Sequence, residues 1–464
     1  MNTPPLTPED RFEIGGDDLL PKPTDFGGEA EGQPVSVTRP GDVLDDIRVR
    51  IGTLLKTETV SLLLGAGASV DCGGQLIGAV PLAIERTLQS QGITEGPPAT
   101  IKPWLSLLYL AVRYAGCPAA SPVTSDEILA RRLELSSGQP APLRINFERV
   151  LTTLLRWRAV LPESGGQLCI EGPPAVDTNA ADLDEALCHA TRALAVACNL
   201  PIAGNESGQM PYKTLVRKLL TRPLNLKRVN VFTLNYDTLI EQAADAEGVV
   251  LLDGFVGTQR RVFRPESYEQ DLYFPAETTE GRVHRFDRVL HLYKLHGSIT
   301  WRASEPTLDD PYGVRSASFD RAASEPLLIY PTPAKYGETL GIPYSELFRR
   351  FAAALARPQS VLFVFGYGFG DEHVNTIIRQ ALAIPSFTLV IVDPNSTSAF
   401  ASTLRQQKDR RIWIAQGPTV GTFSGFVEHL LPDLRDEEIR KKVLATHRAL
   451  AMDSAQQGAP PDGD

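Results

Sequence analysis

Between residues 60 and 415, short apolar runs recur along the chain. Each is closed by a polar or glycine-rich cluster, and several are followed by a helical period. The runs at 60–64, 229–234, 289–295, 360–365 and 387–392 are rich in apolar and β-forming residues, and Val-Leu-Phe-Val-Phe and Leu-Val-Ile-Val among them are apolar throughout. A strand buried on both faces requires such a run. A last strand is expected at 411–415. Helical spacing follows at 238–246 and 372–383, with Asp371 suited to cap the second. Strands alternating with helices predict an α/β fold, a Rossmann-like, doubly wound parallel sheet.

Two regions interrupt the alternation. Residues 81–225 read as mainly helical, with apolar periods at 104–112, 147–157, 183–196 and 215–220. Joints rich in Pro and Gly separate them at 116–123, 138–142 and 162–174. This is a large helical insertion after the first βα unit, so the α/β domain comprises 45–80 and 226–435. The stretches 254–288 and 303–327 read as loops framing an entrance. The segment 329–336, where prolines stiffen the backbone between two tyrosines, reads as a surface crossover. Residues 1–44 are rich in Pro, Gly and acidic side chains and read as a disordered or loosely docked arm; 453–464 read as a disordered tail.

Composition narrows the class. The chain of 464 residues, 42% hydrophobic and 22% charged, has the make-up of a soluble globular protein. Its apolar runs are too short to cross a bilayer, and residues 1–44 contain no hydrophobic stretch of the kind a secretory signal needs. A cytoplasmic location is the expectation, with no membrane partner. The five cysteines, Cys72, Cys117, Cys169, Cys188 and Cys198, form no C-x-x-C pair, which suits a reducing compartment and supplies no tetrahedral zinc site. No metal is expected. The net charge of −10 argues against nucleic acid as a direct ligand.

Ligands of open α/β sheets bind beyond the carboxyl ends of the strands, at the topological switch point. Five clusters follow the expected strands: Gly65-Ala66-Gly67-Ala68-Ser69, Asn235-Tyr236-Asp237, His296-Gly297-Ser298, the loop from Gly366 through Gly368 to Asp371, and Asp393-Pro394-Asn395. The first could let backbone N–H groups and a following helix N-terminus approach a pyrophosphate. It lacks the full G-x-G-x-x-G, because Val70 stands at the last position, and a tight strand-to-helix turn accounts for it nearly as well. Asn235 and Asp237 also suit a turn and an N-cap. His296 also suits a hydrogen-bonded strand end, and 366–371 a plain loop with a cap. Their order along the chain is what joins them.

Gly-Ala-Gly-Ala-Ser, then Thr-Leu-Asn-Tyr-Asp, then Lys-Leu-His-Gly-Ser, then Gly-Tyr-Gly-Phe-Gly-Asp resembles the sirtuin superfamily over roughly residues 50–430. It looks closest to the sirtuin-like NAD hydrolases of prokaryotic anti-phage defence, including those encoded beside HerA-type ATPases. The resemblance implies that Gly65, Ala66, Gly67, Ala68 and Ser69 hold the pyrophosphate and adjoining ribose of NAD. It implies that Asn235 positions the nicotinamide ribose and the attacking water, that Asp237 lies near the carboxamide, and that His296 is the catalytic histidine. Gly366 and Gly368 would lie against NAD, with Asp393 near the adenosine end. A homo-oligomer and a HerA-type ATPase partner are further implications. The zinc module of the protein-deacylating members is absent from this sequence, which turns the expectation from deacylation toward hydrolysis of NAD. A sensing subunit that binds NAD or ADP-ribose without turnover is the alternative.

Overall fold

The structure is a computed structural model. It describes residues 6–20, 40–75, 80–116, 122–138, 140–141, 143, 147–172, 175–200, 206–274, 284–319, 327–329 and 343–435. The expected C-terminal tail, Cys117 and most of 329–336 lie outside these residues.

The apolar runs become a central sheet. Its strands in chain order are β1 (Arg11–Ile14), β2 (Asp17–Asp18), β3 (Thr59–Leu64), β4 (Asn230–Thr233), β5 (Val250–Leu252), β6 (Val289–Lys294), β7 (Ser360–Phe365), β8 (Thr388–Val392) and β9 (Ile412–Gln416). Across the sheet they are ordered β2-β1-β9-β8-β7-β3-β4-β6-β5. The strands from β9 to β5 pair in parallel, while β1 and β2 extend one edge antiparallel. From β3 the chain moves toward β4 and β5, then returns to β7 on the other side of β3. The switch point therefore lies between β3 and β7.

Alternation along each strand feeds two cores. Val60, Leu62 and Leu64 of β3 and Val361, Phe363 and Phe365 of β7 face one core, packed by α1 (Pro40–Leu55), α7 (Glu206–Leu219) and α8 (Leu239–Glu247). Leu63, Leu362 and Val364 face the other, packed by α9 (Tyr344–Leu355), α10 (Glu372–Leu382) and α11 (Ala399–Gln406). Helices on both faces of a mostly parallel sheet are the expected doubly wound architecture.

The insertion builds its own core. In it, α2 (Val80–Gly92), α3 (Pro103–Tyr114), α5 (Phe147–Val160) and α6 (Ala180–Cys198) pack together through residues such as Ile84, Trp104, Leu151 and Leu183. One polar cluster is buried there. Arg131, on α4 (Ser125–Ser137), donates from Nε and Nη2 to the two carboxylate oxygens of Glu85 at 2.9 and 3.0 Å, and Tyr109 donates to Oε1 of Glu85 at 2.7 Å. It ties α2, α3 and α4 to one another. The last helix assigned to the insertion from sequence, α7, instead packs beside α8 under the sheet.

Two expectations change. Residues 6–20 are part of the sheet rather than a loose arm: Phe12 is fully buried, and Asp10 Oδ1 accepts the N–H groups of Thr419 and Val420 at 2.9 and 3.0 Å. Four strand residues among many polar ones give too little periodicity to detect. The loop-rich stretches also supply strands, in an antiparallel sheet ordered Leu327–Ile329, Gly297–Ala303, Val314–Ser316, Arg261–Phe263, Phe255–Val256. Most of these strands are only two or three residues long, below the length at which alternation is legible.

Removing one partner of a buried ion pair strands the other's charge. Arg131→Met is expected to lower stability by about 3–5 kcal/mol, read as a fall in the denaturant midpoint. Adding Glu85→Leu to that variant should restore part of the loss.

Candidate active site

Register places the predicted residues level with one another. Leu64 pairs with Phe365 on one side and Thr233 on the other, Phe365 pairs with Val392, and Thr233 pairs with Lys294. Asp393, Gly366 and Gly65 therefore leave the sheet at one height, and Asn235 and His296 each follow two residues after a paired position. Adjacent strands lie about 4.8 Å apart, so the order Asp393, Gly366, Gly65, Asn235, His296 runs across the carboxyl edge of the sheet.

At the switch point the loops after β3 and β7 meet backbone to backbone. Gly67 N–H donates to the Gly366 carbonyl at 2.8 Å, Gly65 N–H to Phe365 O at 2.9 Å, and Ala68 N–H to Gly65 O at 3.0 Å. A Cβ on Gly65 would lie 2.6 Å from Gly366 O, and one on Gly366 would lie 2.3 Å from Ala68 N. Gly366 also has φ 59°, which disfavours any side chain. The glycines are required first by this contact. Ala66–Cys72 is a short 3₁₀ turn in place of the α-helix expected after the loop, and the N–H groups of Gly65, Gly67 and Ala68 already donate within the protein. Gly368 differs: among the described residues, its chain neighbours aside, no atom lies within 4 Å of where its Cβ would be.

Ser69 gathers the next layer. Its hydroxyl donates to Asp237 Oδ2 at 2.7 Å, accepts Asn235 Nδ2 at 3.0 Å, and lies 3.2 Å from the Tyr212 hydroxyl. With its one proton committed to the carboxylate, Ser69 is the acceptor for Tyr212. Burial, then the nearby Asp237, pushes the Tyr212 phenol well up, so it stays protonated for that role. Asn235 Nδ2 also donates to Gly65 O at 2.9 Å. A backbone carbonyl only accepts, which fixes the amide's orientation: both N–H bonds turn inward, and Oδ1 is left without a protein donor among the described residues. Asp237 Oδ1 accepts the Leu239 N–H at 3.1 Å, so this aspartate also serves the turn at the start of α8.

His296 is buried at the end of β6, with Nε2 3.1 Å from Oδ2 of Asp371. Asp371 caps α10, its Oδ1 accepting His373 N–H at 2.8 Å and Val374 N–H at 3.3 Å. Burial pushes this carboxyl up, but the His296 contact and the two N–H groups outweigh burial and hold it below its ordinary value. Lys294, two residues before His296 and almost fully buried, donates to the Asp237 carbonyl and to Glu241 Oε1 at 2.8 Å. Tyr236, between Asn235 and Asp237, approaches Oε1 of Glu148 on α5 at 3.4 Å, and its carbonyl accepts the Ile299 N–H at 3.1 Å.

The structure thus brings Gly65, Ala68, Ser69, Asn235, Asp237 and Gly366 into one network and joins His296 to Asp371. Asp393 stands apart: its Oδ1 accepts the N–H of Asn395 at 2.9 Å. Among the described residues, no three His, Cys, Asp or Glu side chains gather to hold a metal, and no helix is long and apolar enough to cross a membrane. Sequence reasoning missed Tyr212, Lys294, Glu148 and the second role of Asp371. Lys294 had a signal, a full charge at the end of a largely buried strand, which demands a partner. Asp371 follows a strand-end glycine loop. Tyr212 and Glu148 reach the site from remote helices without any local mark.

Residues 229–416 match the family model described as a SIR2-like domain, and a domain of that kind is present here. No curated protein matches the chain. Among solved structures, the chain is similar to a SIR2 homologue in complex with NAD, at 12% identity, with 82% of this chain and 93% of that one covered and a TM-score of 0.30. It is also similar to a serine-to-alanine variant of a Sir2 homologue in complex with ADP-ribose, at 11% identity, with coverage of 78% and 95% and a TM-score of 0.27.

Removing the Ser69 hydroxyl would leave Asp237, an Asn235 N–H and the Tyr212 hydroxyl without their shared partner. Ser69→Ala is expected to lose about 1–3 kcal/mol of stability, measured by denaturant unfolding.

Proposed function

We propose that the protein is an NAD⁺ glycohydrolase, converting NAD⁺ and water into ADP-ribose, nicotinamide and a proton. The observation that carries this reading is the amide of Asn235, locked with both N–H bonds inward and Oδ1 left as an acceptor, at the edge where His296 ends the next strand. The SIR2-like domain over 229–416 contains both residues and supports the choice of NAD⁺ as substrate.

The order along the sheet edge suits an extended dinucleotide. The adenosine end would lie toward Asp393, the pyrophosphate over the loops of Gly65, Ala66, Gly67, Ala68, Ser69 and Gly366, and the nicotinamide ribose at Asn235 and His296. Gly368, with open space before it, would let the backbone approach the ligand. Asp237 would stand near the carboxamide.

In the reaction the bond between ribose C1′ and the pyridinium nitrogen breaks, and its electron pair neutralises the nicotinamide. Water oxygen bonds to C1′ and loses a proton. Asn235 Oδ1 accepts a hydrogen bond from that water and aligns it, while His296 takes the proton from the water or from a ribose hydroxyl that relays it. Orientation and fixed dipoles are the means of acceleration, since nicotinamide leaves as a neutral molecule and needs no protonation. Uncontrolled turnover would exhaust the cell's NAD⁺. The activity therefore suits a cytoplasmic, oligomeric effector held in check until triggered, with anti-phage defence as its setting and a HerA-type ATPase as its partner.

The test is chromatographic separation of products from purified protein and NAD⁺. Native protein is expected to release nicotinamide and ADP-ribose, with Asn235→Ala and His296→Ala each slower by about 100-fold or more. Full activity in both variants would overturn the residue assignment. Binding of NAD⁺ without turnover would replace the enzyme by a sensing subunit.

A further inference from the structure

An N-cap needs one side-chain oxygen, and Asp371 uses Oδ1 for that purpose. Its second oxygen is directed into the protein, onto His296 Nε2. The contact spans the sheet edge: Asp371 ends the loop after β7, His296 follows β6, and β3 and β4 lie between.

The loop is built to hold that position. The Tyr367 hydroxyl accepts Asp371 N–H at 3.1 Å and lies 3.0 Å from Asp371 O and 3.1 Å from Asn375 Oδ1. Asn375 Nδ2 in turn donates to Phe369 O at 2.9 Å. Phe369 has φ 55°, a conformation costly for a bulky residue and maintained only where surrounding contacts enforce it. Its ring stacks on Phe400 with centroids 4.8 Å apart. On the other side of the pair, α9 presents Phe348, 6.2 Å from the His296 ring centroid, and His373 of α10 stacks on Phe348 at 4.4 Å. Beside the cap, Glu372 and Arg379 pair with each other at 2.6 Å.

We propose that Asp371 is the positioning residue of His296, fixing the ring so that Nε2 carries the proton and Nδ1 is the nitrogen that accepts one. An ionised carboxylate only accepts hydrogen bonds, so the nitrogen facing it is the protonated one, and in a neutral imidazole the lone pair then belongs to the other. The same carboxylate steadies the imidazolium that forms when the proton is taken. The assignment of a reaction to this pair rests on the NAD⁺ glycohydrolase reading; the pairing and the tautomer do not.

The experiment compares full-length native protein with Asp371→Asn and Asp371→Ser, both of which keep a good helix cap. Nitrogen-15 spectra of histidine-labelled protein read the tautomer of His296, identified by its loss in His296→Gln. Turnover of NAD⁺ is followed in the same proteins. In native protein His296 is expected as the Nε2–H tautomer. In both variants the tautomers should mix. At neutral pH kcat should fall about 10–100-fold, with KM for NAD⁺ little changed. A purely capping role predicts unchanged spectra and native kcat, and that result overturns the proposal. If the His296 signals change but native protein has no turnover, the pairing stands and the glycohydrolase reading fails.

Discussion

The close passage of the loops after β3 and β7 is the constraint on which the site depends. At a switch point two neighbouring strands send their chains to opposite sides, and a crevice opens between them. Here the mouth of that crevice is narrowed until main chain touches main chain, which Gly65, Gly67 and Gly366 alone allow. The contact turns the Gly65 carbonyl toward Asn235 and brings Ser69 between Asn235 and Asp237. The orientation of the amide is a consequence of a packing requirement.

Around that contact, polar groups at the strand ends satisfy one another away from water. Buried donors and acceptors left unpaired are costly, so a network in which every partner has one place is also a rigid network. Ser69 shares its single proton and two lone pairs among Asp237, Asn235 and Tyr212. Lys294 neutralises Glu241 and clamps the Asp237 carbonyl. Hydrogen bonds that stabilise the fold are thus the ones that set the directions of Asn235 and Asp237, and a change that loosens one loosens the other.

The helical insertion reaches the same place. Its apolar core includes Ile299, just beyond His296, and Tyr236 packs against it. Glu148 of α5 meets the Tyr236 hydroxyl, while the Tyr236 carbonyl receives the Ile299 N–H. The turn carrying Asn235 and the strand leaving His296 are therefore held to each other and to the insertion. Helices remote in sequence from the strand ends take part in shaping them.

The apolar runs alone determined the central strands and the parallel, doubly wound sheet, because a strand buried on both faces leaves few positions for polar residues. They also determined the candidate site, since the strand-end rule selects residues by position without knowledge of the pairing. Short strands at the margins of the sheet, β1, β2 and β5, were not legible, because so short an alternation cannot be told from chance. Tertiary structure decided the rest. Which strand ends are neighbours depends on strand order, and that order depends on the packing of all the helices. That Gly65 faces Gly366, that Tyr212 arrives from α7, and that the capping residue Asp371 turns its second oxygen to His296 follow from contacts between residues 75 to 301 positions apart. Local sequence carries the propensity for a cap, a turn or a strand. A hydrogen bond between distant side chains exists only once the core has fixed both.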